Sequence, residues 1–403
     1  MTAFNTLLSL ALLALGSVQA LTLEEALQSA DARPDAVTQN LELLNARNDL
    51  IRVQGDPLAL RLERTQAEQA VALNRAELEE AYYSAVLEIT QAYTGVLQGR
   101  EQLELAQKGM SVSQAALDIA QIRANNGSAT QLDVQEAQVA LNDAEKNLTA
   151  AQNGLNVSEN NLEGMIGQEV TASDLEPVDD SYLTALPSLD QALEAAQDHP
   201  QLLQSRQGLD LARIGLDLLD PSYASASQIE SSRTQLETTQ ELVQEAQRGF
   251  SLQVRNLFIQ AENAQETFQV ERDSLVNARE RLAFQQDRLE SGLIAQIELD
   301  RAELEFLQTQ LAVLQARHGY LVALQQLQEG ALISLEGPPA YNFETAVDPV
   351  TLSDLDDSQE TEQATPAEDT DETDASETGA GETDESSGGA ETGDTETEDA
   401  DEN

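Results

Sequence analysis

The chain has 403 residues, only 3% of them aromatic, with no tryptophan, no cysteine and a formal net charge of −52. Absence of cysteine excludes disulfides, thiolate metal sites, cysteine nucleophiles and a lipidated N-terminal cysteine. The acidic balance excludes nucleic acid as a partner, because phosphate binding needs a basic face.

Residues 1–20 read as a signal peptide. Leu7 to Leu15 is apolar apart from Ser9, and Val18-Gln19-Ala20 offers a small-residue cleavage site, although no Lys or Arg precedes it. No other apolar run approaches the roughly 20 residues of a membrane-spanning helix. The expected location is therefore exported and periplasmic.

The rest of the body repeats itself. Leu23-Glu24-Glu25-Ala26-Leu27 answers Leu189-Asp190-Gln191-Ala192-Leu193, Arg33-Pro34 answers His199-Pro200, and Ala46-Arg47 answers Ala212-Arg213. Further on, Arg123, Gly127, Gln131, Asp133 and Ala137 answer Arg288, Gly292, Gln296, Glu298 and Ala302. Internal duplication of this kind marks units that cannot bury an apolar face alone. The reading is a first helical repeat over 21–180 and a second over 181–340.

In chain order, helices are expected at Leu23–Gln54, Leu58–Ala124 and Thr130–Ile166, then at Leu189–Leu219, Gln228–Leu289 and Ala295–Ala331. The seams are heptads. Tyr82, Ile89, Val96, Leu103, Met110 and Leu117 recur every seventh residue, each followed three positions later by Ala, Gly or Ser. Val134, Leu141, Leu148, Leu155 and Leu162 continue the design beyond Asn125-Asn126-Gly127. Val254, Ala261, Phe268, Leu275, Leu282 and Leu289 repeat it before Ser291-Gly292, and Leu299, Phe306, Val313, Tyr320 and Leu327 repeat it after. Such spacing specifies coiled-coil packing, and the small partners let backbones approach closely. Two shorter helices laid end to end match one long helix of roughly 100 Å at 1.5 Å per residue.

From Thr351 to the C-terminus there are 21 acidic residues and no Lys or Arg. Residues 341–403 are accordingly expected to be a disordered acidic tail, too poor in apolar side chains to offset its ordering entropy.

The paired halves, with Arg123, Gly127 and Asp133 at one hairpin tip and Arg288, Gly292 and Glu298 at the other, resemble the TolC family of outer-membrane efflux and secretion ducts. The resemblance covers about Leu21 to Glu336. It implies an all-α protomer of two long helical hairpins, closing as a homotrimer and docking its tips on an inner-membrane adaptor or pump. It implies tip residues Arg123, Asn126, Gly127, Arg288, Gly292 and Leu293, with Gly127 and Gly292 turning the chain through positive φ, a role that Asn126 would share. It also implies a constriction ringed by Asp133, Glu136, Glu298 and Arg301, where Arg301 replaces a carboxylate and would pair with a neighbour. A threefold ring of carboxylates attracts cations and repels anions.

One departure is large. In the family, two β-strands stand between the first short helix and the long helix of each half, and build a barrel. Here only Gly55-Asp56-Pro57 and the segment Asp220 to Ser227 occupy those places. Two barrel strands need about 9–11 residues each. The barrel is expected to be missing, which leaves room for an outer-membrane partner in its place. No catalytic constellation, cofactor motif or metal spacing is found, and His199 and His318 are expected at a turn or on a surface. Two functions compete: a periplasmic, outer-membrane-associated duct component for efflux or secretion, and a structural envelope coiled-coil spacer that has lost transport.

Overall fold

The computed structural model describes residues 20–335. The leader at 1–19 and the acidic tail lie outside them. Both repeats fall in one compact unit. The first contributes α1 (Leu23–Leu27), α2 (Pro34–Gly55), α3 (Arg61–Asn125) and α4 (Gln131–Ile166). The second contributes α5 (Leu189–Ala195), α6 (Pro200–Asp217), α7 (Ala226–Glu290) and α8 (Gln296–Ala331). Among the described residues there is no strand, only an isolated parallel bridge between Leu21 and Leu175.

The starts of these helices are written in the chain. Thr22 with Glu25, Thr130 with Asp133, Ser188 with Gln191 and Ser225 with Gln228 each form a reciprocal capping box, satisfying orphan N–H groups of the first turn. Pro34 and Pro200 occupy the first turns of α2 and α6. This corrects the expected continuous helices Leu23–Gln54 and Leu189–Leu219. Proline forces the preceding residue out of the helical region, and Arg33 and His199 sit extended at ψ 139° and 137°. Each leader is therefore a short helix and a 3₁₀ turn, followed by a separate longer helix.

The heptad seams are present, with graded burial. Tyr82, Ile89, Val96, Val254 and Leu327 are buried, whereas Met110, Leu148, Phe268 and Leu282 nearer the tips are only half-buried. A two-helix hairpin covers one seam, so the remaining faces stay open unless another chain meets them. Gly99 makes the close approach of α3 and α4: a Cβ there would stand 3.1 Å from Leu155 Cδ1 and 3.4 Å from Leu155 Cα.

The core sits beside the middle of the long helices, where the leaders dock. Leu23, Ala26, Leu27 and Ala30 pack on Tyr82, Val86, Ile89 and Tyr93, joined by Leu162, Leu175 and Leu321. In the second repeat Ala192, Ala196 and Leu202 pack on Phe250, Val254 and Leu327. The segment between the repeats is strapped across this level. The Tyr93 hydroxyl lies 2.8 Å from the Leu21 carbonyl and 2.7 Å from that of Glu176. Arg100 donates to the carbonyls of Ala172 and Leu175 at 3.2 and 3.3 Å, and Tyr320 donates to that of Thr184 at 2.9 Å.

The repeats meet through α3 and α8. Lys108 Nζ stands 3.1 Å from Asp300 Oδ1 and 2.5 Å from Glu303 Oε2. Gln325 donates to the Thr90 hydroxyl at 2.9 Å. His318 is 1% exposed in this interface, so it is neither at a turn nor on a surface. His199 does cap α6, its Nδ1 accepting from the Gln201 N–H at 3.3 Å, but it is also buried against Phe250.

Candidate functional site

The two hairpin tips are built alike. At the end of α3 the Ser128 N–H donates to the Arg123 carbonyl at 2.8 Å and the Gly127 N–H to that of Ala124 at 3.0 Å. At the end of α7 the Leu293 N–H donates to the Arg288 carbonyl at 2.8 Å and the Gly292 N–H to that of Leu289 at 2.9 Å. Each is a Schellman motif, in which the last turn's orphan carbonyls are satisfied by a residue in the left-handed region. Gly127 and Gly292 supply it, at φ +73° and +68°. Asn126 does not share that role; its φ is −86°.

Arg123 and Arg288 therefore have a local reason for their positions. Each lies in the last turn of its helix, where a cation complements the negative end of the backbone dipole. The Arg288 guanidinium also sits 5.8 Å above the ring centroid of Phe284. Ile122, Leu132, Phe284 and Leu293 are all exposed around the two tips.

Of the acidic candidates, Asp133 is engaged. Its carboxylate accepts from the Thr130 N–H at 2.6 Å and the Thr130 hydroxyl at 2.9 Å. Those bonds, the backbone one foremost, hold its carboxyl below the ordinary aspartate range, so it stays ionised while serving as a helix cap. The sequence signal was present as Thr-x-x-Asp ahead of an amphipathic helix. Glu136 in the second turn of α4 and Glu298 in the first turn of α8 are exposed. Arg301 is exposed and makes no ion pair among the described residues of the single chain. Asp133 and Glu136 lie on α4 and Glu298 and Arg301 on α8, and α3 packs against both helices. A groove of about 800 Å³ runs along α3, α4 and α8, lined by Gly95, Gly99, Ala106, Gly109, Ala144 and Ala151.

Charged residues that the sequence reading passed over gather between the repeats. Lys108 with Asp300 and Glu303 is one group. A cleft of about 440 Å³ is another, lined by Arg33, Asp35, Glu77, Glu80, Glu88 and Glu329. Burial first, then neighbouring carboxylates, raise the Glu77, Glu80 and Glu329 carboxyls above the usual range. No spacing rule assembles such groups, because they come from helices far apart in sequence. Among the described residues no cluster of His, Asp or Glu fits a metal ion, and no helix is long and apolar enough to cross a membrane.

Against known proteins, residues 56–168 match the family model for the outer membrane efflux protein. No curated protein matches the sequence. Several solved structures share the fold. CusC, whose structures describe transmembrane channel formation, aligns with a TM-score of 0.56 at 14% identity over 77% of this chain and 95% of its own. The outer membrane protein VceC of Vibrio cholerae gives 0.54 at 15% over 77% and 97%. The MtrE outer membrane channel of Neisseria gonorrhoeae gives 0.51 at 13% over 79% and 93%. Residues 56–168, which span the first long hairpin, are thus similar to the outer membrane efflux protein family, and the chain shares the fold of these outer membrane channels over 77% of its length.

Proposed function

We propose that this protein is the outer-membrane-associated duct of an efflux or secretion pathway, exported from the cytoplasm and working as a homotrimer. It is not an enzyme. In this reading 1–20 is a removed signal peptide, 21–180 and 181–340 are the duct-forming repeats, and 341–403 is an acidic tail. The observation that carries it is the pair of matched tips. Both end in the same Schellman turn, and both expose apolar side chains, among them Leu293 at 70%. A spacer has no use for two identically finished, apolar ends.

The tips, with Arg123, Asn126, Gly127, Arg288, Gly292 and Leu293, dock on the helical hairpins of an inner-membrane adaptor. Around the threefold axis Glu136 and Glu298 supply most of the constriction's negative charge. Asp133 adds an ionised carboxylate already tied into its cap, and Arg301 lowers the net charge of the ring. Such an aperture favours cations over anions.

The spacer reading retains one observation in its favour. Only residues 56–60 and 218–225 separate the short helices from the long ones, and neither segment carries a strand. The two readings separate on one experiment. The chain lacks cysteine, so Leu293→Cys places a single thiol at a tip without touching the positive-φ glycine. Cross-linking in cells that captures an adaptor supports the duct. Self-products alone support the spacer.

A further inference from the structure

The two most exposed large apolar side chains among the described residues are Tyr223, 91% exposed, and Leu58, 85% exposed. They stand on the two corners, one joining α6 to α7 and the other joining α2 to α3. Leu60 beside the α2–α3 corner is 65% exposed, and Leu218 beside the α6–α7 corner is 59% exposed.

Both corners lie at the same end, away from the tips. Gln98 meets His318 and Lys108 meets Asp300, so α3 and α8 are antiparallel. Gln265 meets Tyr320 and Arg281 meets Glu305, so α7 and α8 are antiparallel too. The long helices α3 and α7 are therefore parallel, and each has 65 residues.

The corners are formed turns with their backbone N–H groups paired internally. Asp56 Oδ1 accepts from the Leu58 N–H at 2.8 Å, the Asp56 carbonyl accepts from Ala59 at 3.2 Å, and Glu63 accepts from Leu60 at 3.0 Å. The second corner repeats the construction. Asp220 Oδ1 accepts from the Ser222 N–H at 2.7 Å, its carbonyl accepts from Tyr223 at 3.0 Å and Ala224 at 2.8 Å, and Gln228 accepts from Ser225 at 2.9 Å. Every backbone N–H from 58 to 60 and from 222 to 225 thus has a partner, with Pro57 and Pro221 having none to offer.

We infer that these two corners dip into the headgroup zone of a lipid bilayer and anchor this end of the protein there without spanning it. Resting on the outer-membrane location proposed above, the inference adds how the chain holds the membrane. Isolated side chains that protrude from a turn fit a deformable apolar medium, whereas a protein partner would need a shaped face around them. A backbone with its donors already paired enters a poorly hydrated zone without losing hydrogen bonds. Tyrosine presents an apolar ring and a polar tip suited to that boundary. Arg61 and Arg64 stand beside the first corner, where Arg64 donates to the Asp56 carbonyl at 3.2 Å, and their guanidinium groups match lipid phosphates. The bilayer is zwitterionic at the contact, because the acidic body repels anionic headgroups.

The chain has no tryptophan, so Tyr223→Trp in the full chain supplies a single tryptophan, excited selectively at wavelengths the remaining tyrosines do not absorb. Added to phosphatidylethanolamine–phosphatidylcholine vesicles, it should shift its emission to the blue and be quenched by brominated acyl chains. Ile122→Trp at a tip should do neither. Adding Leu58→Ser and Leu60→Ser to the Tyr223→Trp chain should weaken vesicle partitioning about tenfold, since interfacial affinity scales with buried apolar area. Three results would overturn the inference. One is an unshifted emission from the Tyr223→Trp chain, and another is an equal shift from the Ile122→Trp chain. The third is a shift that grows with protein concentration in the absence of lipid, which would mean that a second copy covers the corner. The measurement uses purified protein and no adaptor, so its failure is distinct from a failure of adaptor capture through Leu293→Cys.

Discussion

Gln98 on the first long helix and His318 on the last helix face each other across the join between the repeats, with Gln98 Nε2 3.2 Å from His318 Nδ1. The opposite ring nitrogen, Nε2, is buried with no partner among the described residues. Burial, with Arg317 adding repulsion, pulls this imidazole down to a pKa of about 4. It is a neutral histidine held where a charged one is not tolerated.

A pH-dependent stability follows. The unfolded chain protonates this histidine near its ordinary pKa of 6.5, while the folded chain resists until about 4. The stability it contributes is full above pH 6.5 and declines as pH falls through that window. The total amounts to about 3 kcal/mol, at 1.36 kcal/mol per pKa unit. Thermal unfolding followed by circular dichroism at pH 7 and pH 4.5 should show a steeper loss for the native chain than for His318→Gln. Parallel curves would rule the assignment out.

The carboxylate cleft has the opposite sign. Glu80 and Glu329 have folded pKa values raised above 4.5, by burial first, with like charges adding to it and a Ser84 hydrogen bond partly offsetting it at Glu329. Their repulsion is present at neutral pH and relieved as pH falls toward 4.5. Glu329→Gln should therefore raise the melting temperature at pH 7.5 and lose that advantage at pH 4.5. An advantage that persists unchanged at low pH would point to packing instead.

Gly127→Ala and Gly292→Ala place a Cβ in the left-handed region, at a penalty of about 1–2 kcal/mol each. Space is not the obstacle, since nothing lies within 4 Å of the added atom. Amide hydrogen exchange at Ser128 and Leu293, the residues that close the two turns, should accelerate roughly tenfold or more by the same arithmetic. Unchanged protection would show that the turns survive without glycine.

Lys108→Met should destabilise the join between repeats by about 1–2 kcal/mol, because Asp300 and Glu303 are left facing each other with only partial access to water. A double-mutant cycle with Asp300→Asn should recover much of that loss. Purely additive effects in urea unfolding would show that the lysine acts through its alkyl stem alone.

Much of this molecule was legible in its sequence because the signals are local. Heptad spacing decides which face of a helix is apolar, and Gly four residues after Arg decides where a helix stops. Both depend on neighbours within one or two turns, so Ile89, Val96, Val254 and Leu327 fell into the core, and Gly127 and Gly292 at the tips, as their spacing required. The prolines at 34 and 200 carried a local signal as well, but were read as features within continuous helices when they open new ones.

Only the tertiary structure decided the rest. Whether His318 is exposed depends on which face of the last helix meets Gln98, 220 residues earlier in the chain, and no pattern within that helix records the meeting. The joining of Lys108 to Asp300 and Glu303 has the same origin, as does the crowding of Glu80 against Glu329. Local periodicity sets what each helix can bury; the charge and protonation of the buried groups are set by whichever distant helix arrives beside them.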